Sequence, residues 1–118
     1  ELLTKKLLTA EGYEDVIVIG GSGGLGVDLV AKKNGNTCIF QCKRWNANVG
    51  STPIQRLYTE RSIHHYDKAY CITTSDYTED GKKEAELCKV EIRNGIQTME
   101  FLNKHFPGCY YNGAILIK

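Results

Sequence analysis

The 118-residue sequence lacks most of the features that announce a special environment. No apolar run comes near the roughly 18–20 residues of a membrane span. The amphipathic start "ELLTKKLL" has no continuous apolar segment, so it does not read as a signal peptide. There are two prolines and no repeat, linker or low-complexity tract, which leaves one domain over residues 1–118 as the simplest reading. The five cysteines (Cys38, Cys42, Cys71, Cys88 and Cys109) are odd in number, form no CxxC pair and mostly sit inside apolar runs. That pattern fits reduced, buried thiols of a cytoplasmic protein better than a disulfide frame. The sequence does not begin with methionine, which reads as a piece of a longer protein.

Charge of one sign is also missing, because the net charge is only +1. The distribution is uneven, however. Residues 32–68 carry Lys32, Lys33, Lys43, Arg44, Arg56, Arg61 and Lys68 against Glu60 and Asp67, a block of +5. A basic middle can meet a polyanion, or it can be an ordinary solvated face.

What is present reads as alternating helices and strands. Residues 1–11 form an amphipathic helix closed by Gly12, and residues 15–20 ("DVIVIG") a short β-branched strand. Asn34-Gly35 is the favoured centre of a two-residue type I′ hairpin with strand-like flanks. Thr52-Pro53 predicts a cap and first position for a helix to about Tyr66, with Ile54, Leu57, Tyr58 and Arg61 along one face. A strand over Lys68–Thr74, a helix capped by Thr78, a short strand "VEIR" and a last helix up to Pro107-Gly108 follow. Gly81 weakens the helix it lies in. The order predicts an α/β fold, a mixed sheet covered by helices on both faces.

The hairpin concentrates chemistry. With a two-residue turn, Lys33 faces Asn36, Asp28 faces Gln41 and Gly26 faces Lys43. Directly opposed Cβ atoms lie about 4.5–5.5 Å apart. Alternation then sends Asp28, Gln41 and Lys43 to one face, and Val27, Leu29, Ala31, Cys38, Phe40 and Cys42 to an apolar one. A carboxylate, an amide and an ammonium together suit phosphodiester hydrolysis. Asp28, the Gln41 oxygen and the Cys42 backbone carbonyl offer hard ligands to Mg²⁺. Lys43 can hold or deprotonate a water, or stabilise developing charge. Glu1, seven residues before Leu8, shares the inward azimuth of its helix and supplies a second carboxylate. The competing reading is an Asp-Lys cross-strand pair decorating a sheet.

These residues resemble the catalytic domain of Mrr-like restriction endonucleases, a QxK variant within the PD-(D/E)XK nuclease superfamily. The resemblance rests on Glu1, "EGYEDVIVIGGSGGLGVDLVA", "FQCKRW", "NVGSTPIQRL", "CITTSDYTEDGKKEA" and "VEIRNGIQTMEFL", nearly the whole chain. It implies a restriction-endonuclease-like α/β/α sandwich with an αβββαβ core. It implies a Mg²⁺-dependent DNA endonuclease, with Mn²⁺ as a substitute, of type IV restriction-endonuclease-like activity in prokaryotic restriction or phage defence. Asp28 would be the metal ligand, Gln41 would stand where many relatives have Glu, Lys43 would be the catalytic lysine, and Glu1 the helix acid that compensates for Gln41. Gln55 matches a polar helix position near the site in some members. A homodimer for double-strand cleavage and a recognition domain elsewhere in the full-length protein also follow. One departure stands out: relatives often carry a second Asp four residues before the metal-binding one, where this chain has Gly24. A Holliday-junction-resolvase-like or repair nuclease on the same core, and a non-catalytic nucleic-acid-binding module, are the alternatives.

Other signals are weaker. "GGSGGLG" is followed by a strand and no GK[ST], so it does not read as a phosphate loop. His64-His65 diverge around a helix end. Arg44, Trp45, Arg56 and Arg61 are candidate DNA contacts, with packing as the other reading of Trp45. Thr73, Thr74 and Ser75 end a central strand and suit strand-end capping better than phosphate binding.

Overall fold

The structure is a computed structural model that describes residues 2–19, 27–43, 47–106, 110–111 and 114–115. Its elements follow the order α1 (Leu2–Ala10), β1 (Glu14–Val18), β2 (Leu29–Lys33), β3 (Asn36–Lys43), α2 (Ser51–His64), β4 (Lys68–Thr73), α3 (Glu79–Cys88), β5 (Glu91–Arg93) and α4 (Gly95–His105). A two-residue-per-strand hairpin of β6 (Tyr110–Tyr111) and β7 (Ala114–Ile115) comes last. The five main strands pair in sequence order, antiparallel from β1 to β3 and parallel from β3 to β5. This is the mixed sheet expected from an antiparallel hairpin followed by helical crossovers.

Each face of the sheet has its own core. Leu29, Ala31, Cys38, Phe40 and Ile72 pack with Leu8 of α1 and with Tyr13 and Val16. Phe40 lies between Tyr13, edge-on at 5.3 Å, and Tyr70, stacked at 4.9 Å. On the other face Ile39, Ala69 and Cys71 pack with Ile54 and Leu57 of α2 and Ala85 and Cys88 of α3. Helix α4 meets α1 through Leu102 and Leu7. The result is the predicted α/β/α layering. Cys38, Cys42, Cys71 and Cys88 are thiols outside any disulfide, three of them buried, and Cys109 lies outside the described residues. Burial pushes the Cys38 and Cys88 thiols up, which keeps them protonated. Among the described residues, no helix is long and apolar enough to cross a membrane.

Asn34 and Gly35 both have positive φ, 52° and 82°, as the type I′ turn requires. The register that follows is the expected one from Lys33↔Asn36 to Leu29↔Phe40.

Three local expectations are corrected. Helix α2 begins at Ser51 behind Gly50, not at Pro53 behind Thr52, and Gly50 offers no side-chain cap. Pro53 still sits in the first turn, where its missing N–H has no intrahelical acceptor to lose. Tyr58 of that helix is exposed, because the buried stripe runs through Pro53, Ile54 and Leu57. The third correction is Val27, which packs with Ile39 and Val30 instead of joining Leu29 on the other face.

The cause of the Val27 reversal is a two-against-one step at Asp28. The Asp28 N–H donates to the Phe40 carbonyl at 2.8 Å, although Phe40 is already the partner of Leu29. The Asp28 carbonyl turns the other way and accepts the Ile19 N–H at 2.8 Å. In a regular strand the N–H and C=O of one residue point to the same neighbour. The reversed pair marks a bulge, which resets the alternation at Val27.

The crossover ends are packed tightly against backbone. A Cβ on Gly81 would lie 2.6 Å from the Val49 carbonyl oxygen, and one on Gly95 only 2.3 Å from that of Thr74. Gly81 therefore trades helix propensity for the approach of α3 to the chain entering α2. Gly95→Ala is expected to destabilise by about 1–3 kcal/mol through overpacking, despite a propensity gain of up to about 1 kcal/mol. Thermal unfolding checks this. A Tm equal to or above that of the unmodified chain would contradict the close approach.

Candidate active site

The site is built where β2 gives out beside β3. Because the bulge has turned the Asp28 backbone aside, its side chain takes over the next rung. Oδ2 accepts the Cys42 N–H at 2.7 Å, while Oδ1 is not spent on that bond. The half-buried carboxylate is thereby held against the row of Cys42. The sequence reading had set Asp28 opposite Gln41. The structure instead joins it to the backbone of the adjacent residue, one step nearer the end of β3. Since a residue in a ladder points its N–H and C=O to the same side, the Cys42 carbonyl points toward the strand that carries Asp28.

Gln41 lies one residue back, paired with Cys71 in the parallel ladder and only 3% exposed. Its Oε1 is buried with no hydrogen-bond partner. A buried amide oxygen left unpaired costs roughly 1–3 kcal/mol. It is the polar atom for which the described residues provide no use. Lys43 closes β3 opposite Thr73. The expectation for its side chain lies outside what is described, as do Glu1, Gly24, Gly26, Arg44 and Trp45. Thr4, three residues after Glu1 on α1, has its hydroxyl 3.6 Å from the Cys42 sulfur. The N-terminal turn of α1 thus lies over this end of β3.

The donor set is all oxygen: a carboxylate, an amide carbonyl and a backbone carbonyl. Such ligands suit a hard divalent cation, which keeps several waters and needs only one or two carboxylates from protein. Among the described residues no three His, Cys, Asp or Glu side chains gather to hold a metal. The unpaired Gln41 oxygen, one residue along β3 from the Cys42 N–H that anchors Asp28, fits an oxygen-ligated cation, not a thiolate- or imidazole-bound one.

The remaining candidates separate by position. Gln55 and Arg56 are exposed in the second turn of α2, which starts at this end of the sheet and descends toward β4. Arg61 is not available for DNA, since its guanidinium binds the Cys88 and Lys89 carbonyls at the C-terminus of α3. Lys33 is spent similarly, donating to the Glu11 carbonyl at 3.0 Å over the ring of Tyr13. Lys32 and Lys68 flank the beginning of β3, opposite Thr37 and Cys38. At about 3.3 Å per residue they are roughly 17–20 Å from its far end. The basic block of the sequence is therefore divided between two ends of the sheet. His64 is exposed and pairs with Glu60 at 3.1 Å, while His65 closes the helix in a left-handed conformation.

Sequence reasoning missed the Glu11–Arg93 pair. Both guanidinium nitrogens meet the carboxylate at 3.1 Å, and the guanidinium lies 3.8 Å from the centre of the Phe101 ring. The residues are 82 apart in sequence, and nothing local marks them as partners. This pair ties the end of α1 to β5 and α4 and belongs to the scaffold.

A family model described as restriction endonuclease, Mrr_cat, matches residues 1–102. No match was found among curated proteins. Among solved structures, the crystal structure of a protein of unknown function, AF1548, superposes with a TM-score of 0.67 at 18% identity over 86% of this chain. The chain spans 62% of that one, and at such identity the likeness speaks for the fold alone.

Proposed function

Since the chain belongs to the Mrr_cat family of restriction endonucleases, we propose that it is a nuclease domain that hydrolyses DNA phosphodiester bonds with Mg²⁺, or Mn²⁺ in its place. The observation that carries the metal reading is the buried, unpaired Gln41 oxygen, one residue before the Cys42 N–H on which the Asp28 carboxylate is fixed. Asp28, Gln41 Oε1 and the Cys42 carbonyl would hold the cation, with Glu1 as a further carboxylate. The ion supplies charge neutralisation at the phosphate and a more acidic water.

The chain's own groups do the rest. The bond from Cys42 N–H keeps the Asp28 carboxylate in one orientation. The sheet excludes water from around Gln41. Lys43 holds or deprotonates the attacking water, or stabilises the charge that grows as the P–O ester bond breaks. Gln55 and Arg56, with Arg44 and Trp45, are the proposed DNA contacts. The reading extends to a type IV restriction-like role in phage defence, to two copies acting together for a double-strand cut, and to target choice by a domain outside this one.

The test is cleavage of supercoiled, linear, branched and methylated DNA by the full-length protein with Mg²⁺, Mn²⁺ or EDTA. Cleavage is expected with either cation and not with EDTA. Preference for branched DNA would favour a resolvase-like role. Binding with no cleavage of any substrate would leave a non-catalytic binding module.

A further inference from the structure

Besides Gln41, one other polar side chain is buried among the described residues: Thr73, at 1% exposure. It ends the central strand β4 and is the ladder partner of Lys43, two places beyond the Gln41↔Cys71 pair. Its hydroxyl lies 3.0 Å from that of Ser75 and accepts the Ser75 N–H at 3.2 Å. The Ser75 hydroxyl also donates to the Ala47 carbonyl at 2.8 Å. A hydroxyl has one proton, and a carbonyl only accepts. The Ser75 proton is therefore spent on Ala47, and in the contact between the two hydroxyls Thr73 is the donor. The chain is directed from Thr73 through Ser75 to Ala47.

Ala47 is the fourth residue after Lys43. Just beyond it the Val49 N–H donates to the Asp76 carbonyl at 2.8 Å, and Thr78 N–H to that of Val49 at 2.9 Å. The end of β4 thus holds the chain both where it leaves β3 and where it enters α2. The backbone at Ser75 has an anchor of its own, since Gly95 N–H donates to the Ser75 carbonyl at 2.7 Å. This backbone bond is independent of the two hydroxyls. The buried Thr73 hydroxyl is satisfied by Ser75, so what it contributes is the link to the crossover at Ala47.

We propose that Thr73 and Ser75 are positioning residues of the hydrolytic site. Through the Ala47 carbonyl their hydroxyls pin the chain four residues after Lys43 to the end of β4, and so hold Lys43 in place relative to Gln41. The inference rests on the nuclease reading above. Misplacement by about 1 Å is enough to cost about 10²-fold in rate.

The experiment compares Thr73→Val, Thr73→Ser and Ser75→Ala with the unmodified full-length protein. DNA cleavage is measured under saturating Mg²⁺, together with Tm and hydrogen exchange at Val49. The expected result is a fall in kcat of about 10- to 100-fold for Thr73→Val and Ser75→Ala. KM and Tm should be nearly unchanged, exchange at Val49 faster, and Thr73→Ser close to normal. Unchanged kcat, or a loss that merely tracks a lower Tm, would overturn the proposal. If the unmodified protein cuts no DNA, the nuclease reading fails on its own. Exchange at Val49 then decides the pinning, and equal rates in Ser75→Ala would refute it.

Discussion

Alanine in place of Lys43 is expected to lower metal-dependent DNA cleavage by about 10²–10⁴-fold, the range typical of a positioned acid–base group. The strand should survive, because Lys43 takes part in the ladder to Thr73 through its backbone. Tm should therefore hold while kcat falls. Asp28→Asn is the companion variant. The asparagine carbonyl can still accept the Cys42 N–H that Oδ2 accepts at 2.7 Å, so the bulge and the end of β3 keep their bond. What disappears is the negative charge, and with it most of the attraction for a divalent cation. Loss of cleavage with retained Tm in both variants supports the assignment. Cleavage at the normal rate in both would sink it.

Gln41→Met is expected to separate stability from activity in opposite directions. The side chains are similar in length, and Gln41 is buried beside Cys71 on the face that holds Ile39. Removing an unpaired buried amide oxygen should recover on the order of 1 kcal/mol. The same change deletes a proposed cation ligand, so cleavage should drop by at least about 10²-fold. Thermal unfolding with and without Mg²⁺ gives a second readout. A ligand that binds only the folded state raises Tm, so Mg²⁺ should stabilise the original protein and not the variant. A less stable, fully active Gln41→Met would mean that the amide serves packing alone.

Such a cross-over between stability and function marks the difference between a residue kept for folding and one kept for chemistry. The two polar side chains that the described core tolerates, Gln41 and Thr73, flank the end of the central strand pair. One is left without a partner, and the other heads a directed chain of hydroxyls. Neither arrangement follows from a need to fill space.

By itself the sequence determined the layered α/β architecture and the hairpin turn with its register from Lys33↔Asn36 to Leu29↔Phe40, and it singled out Asp28, Gln41 and Lys43 as candidates. The reason is that these depend on short-range rules. Asn-Gly prefers positive φ, strands alternate with period two, and an apolar stripe fixes which side is buried. Tertiary structure alone decided the rest. The bulge that sends the Asp28 carboxylate to Cys42 N–H needs β1 on one side and β3 on the other, through Ile19 and Phe40. Arg61 and Lys33 became scaffold because two helix C-termini came within reach of their side chains. The Thr73–Ser75–Ala47 chain exists because a crossover returns past the end of a neighbouring strand. Each of these contacts joins groups distant in the chain, whose free energy comes from desolvation and fixed geometry that no local window contains.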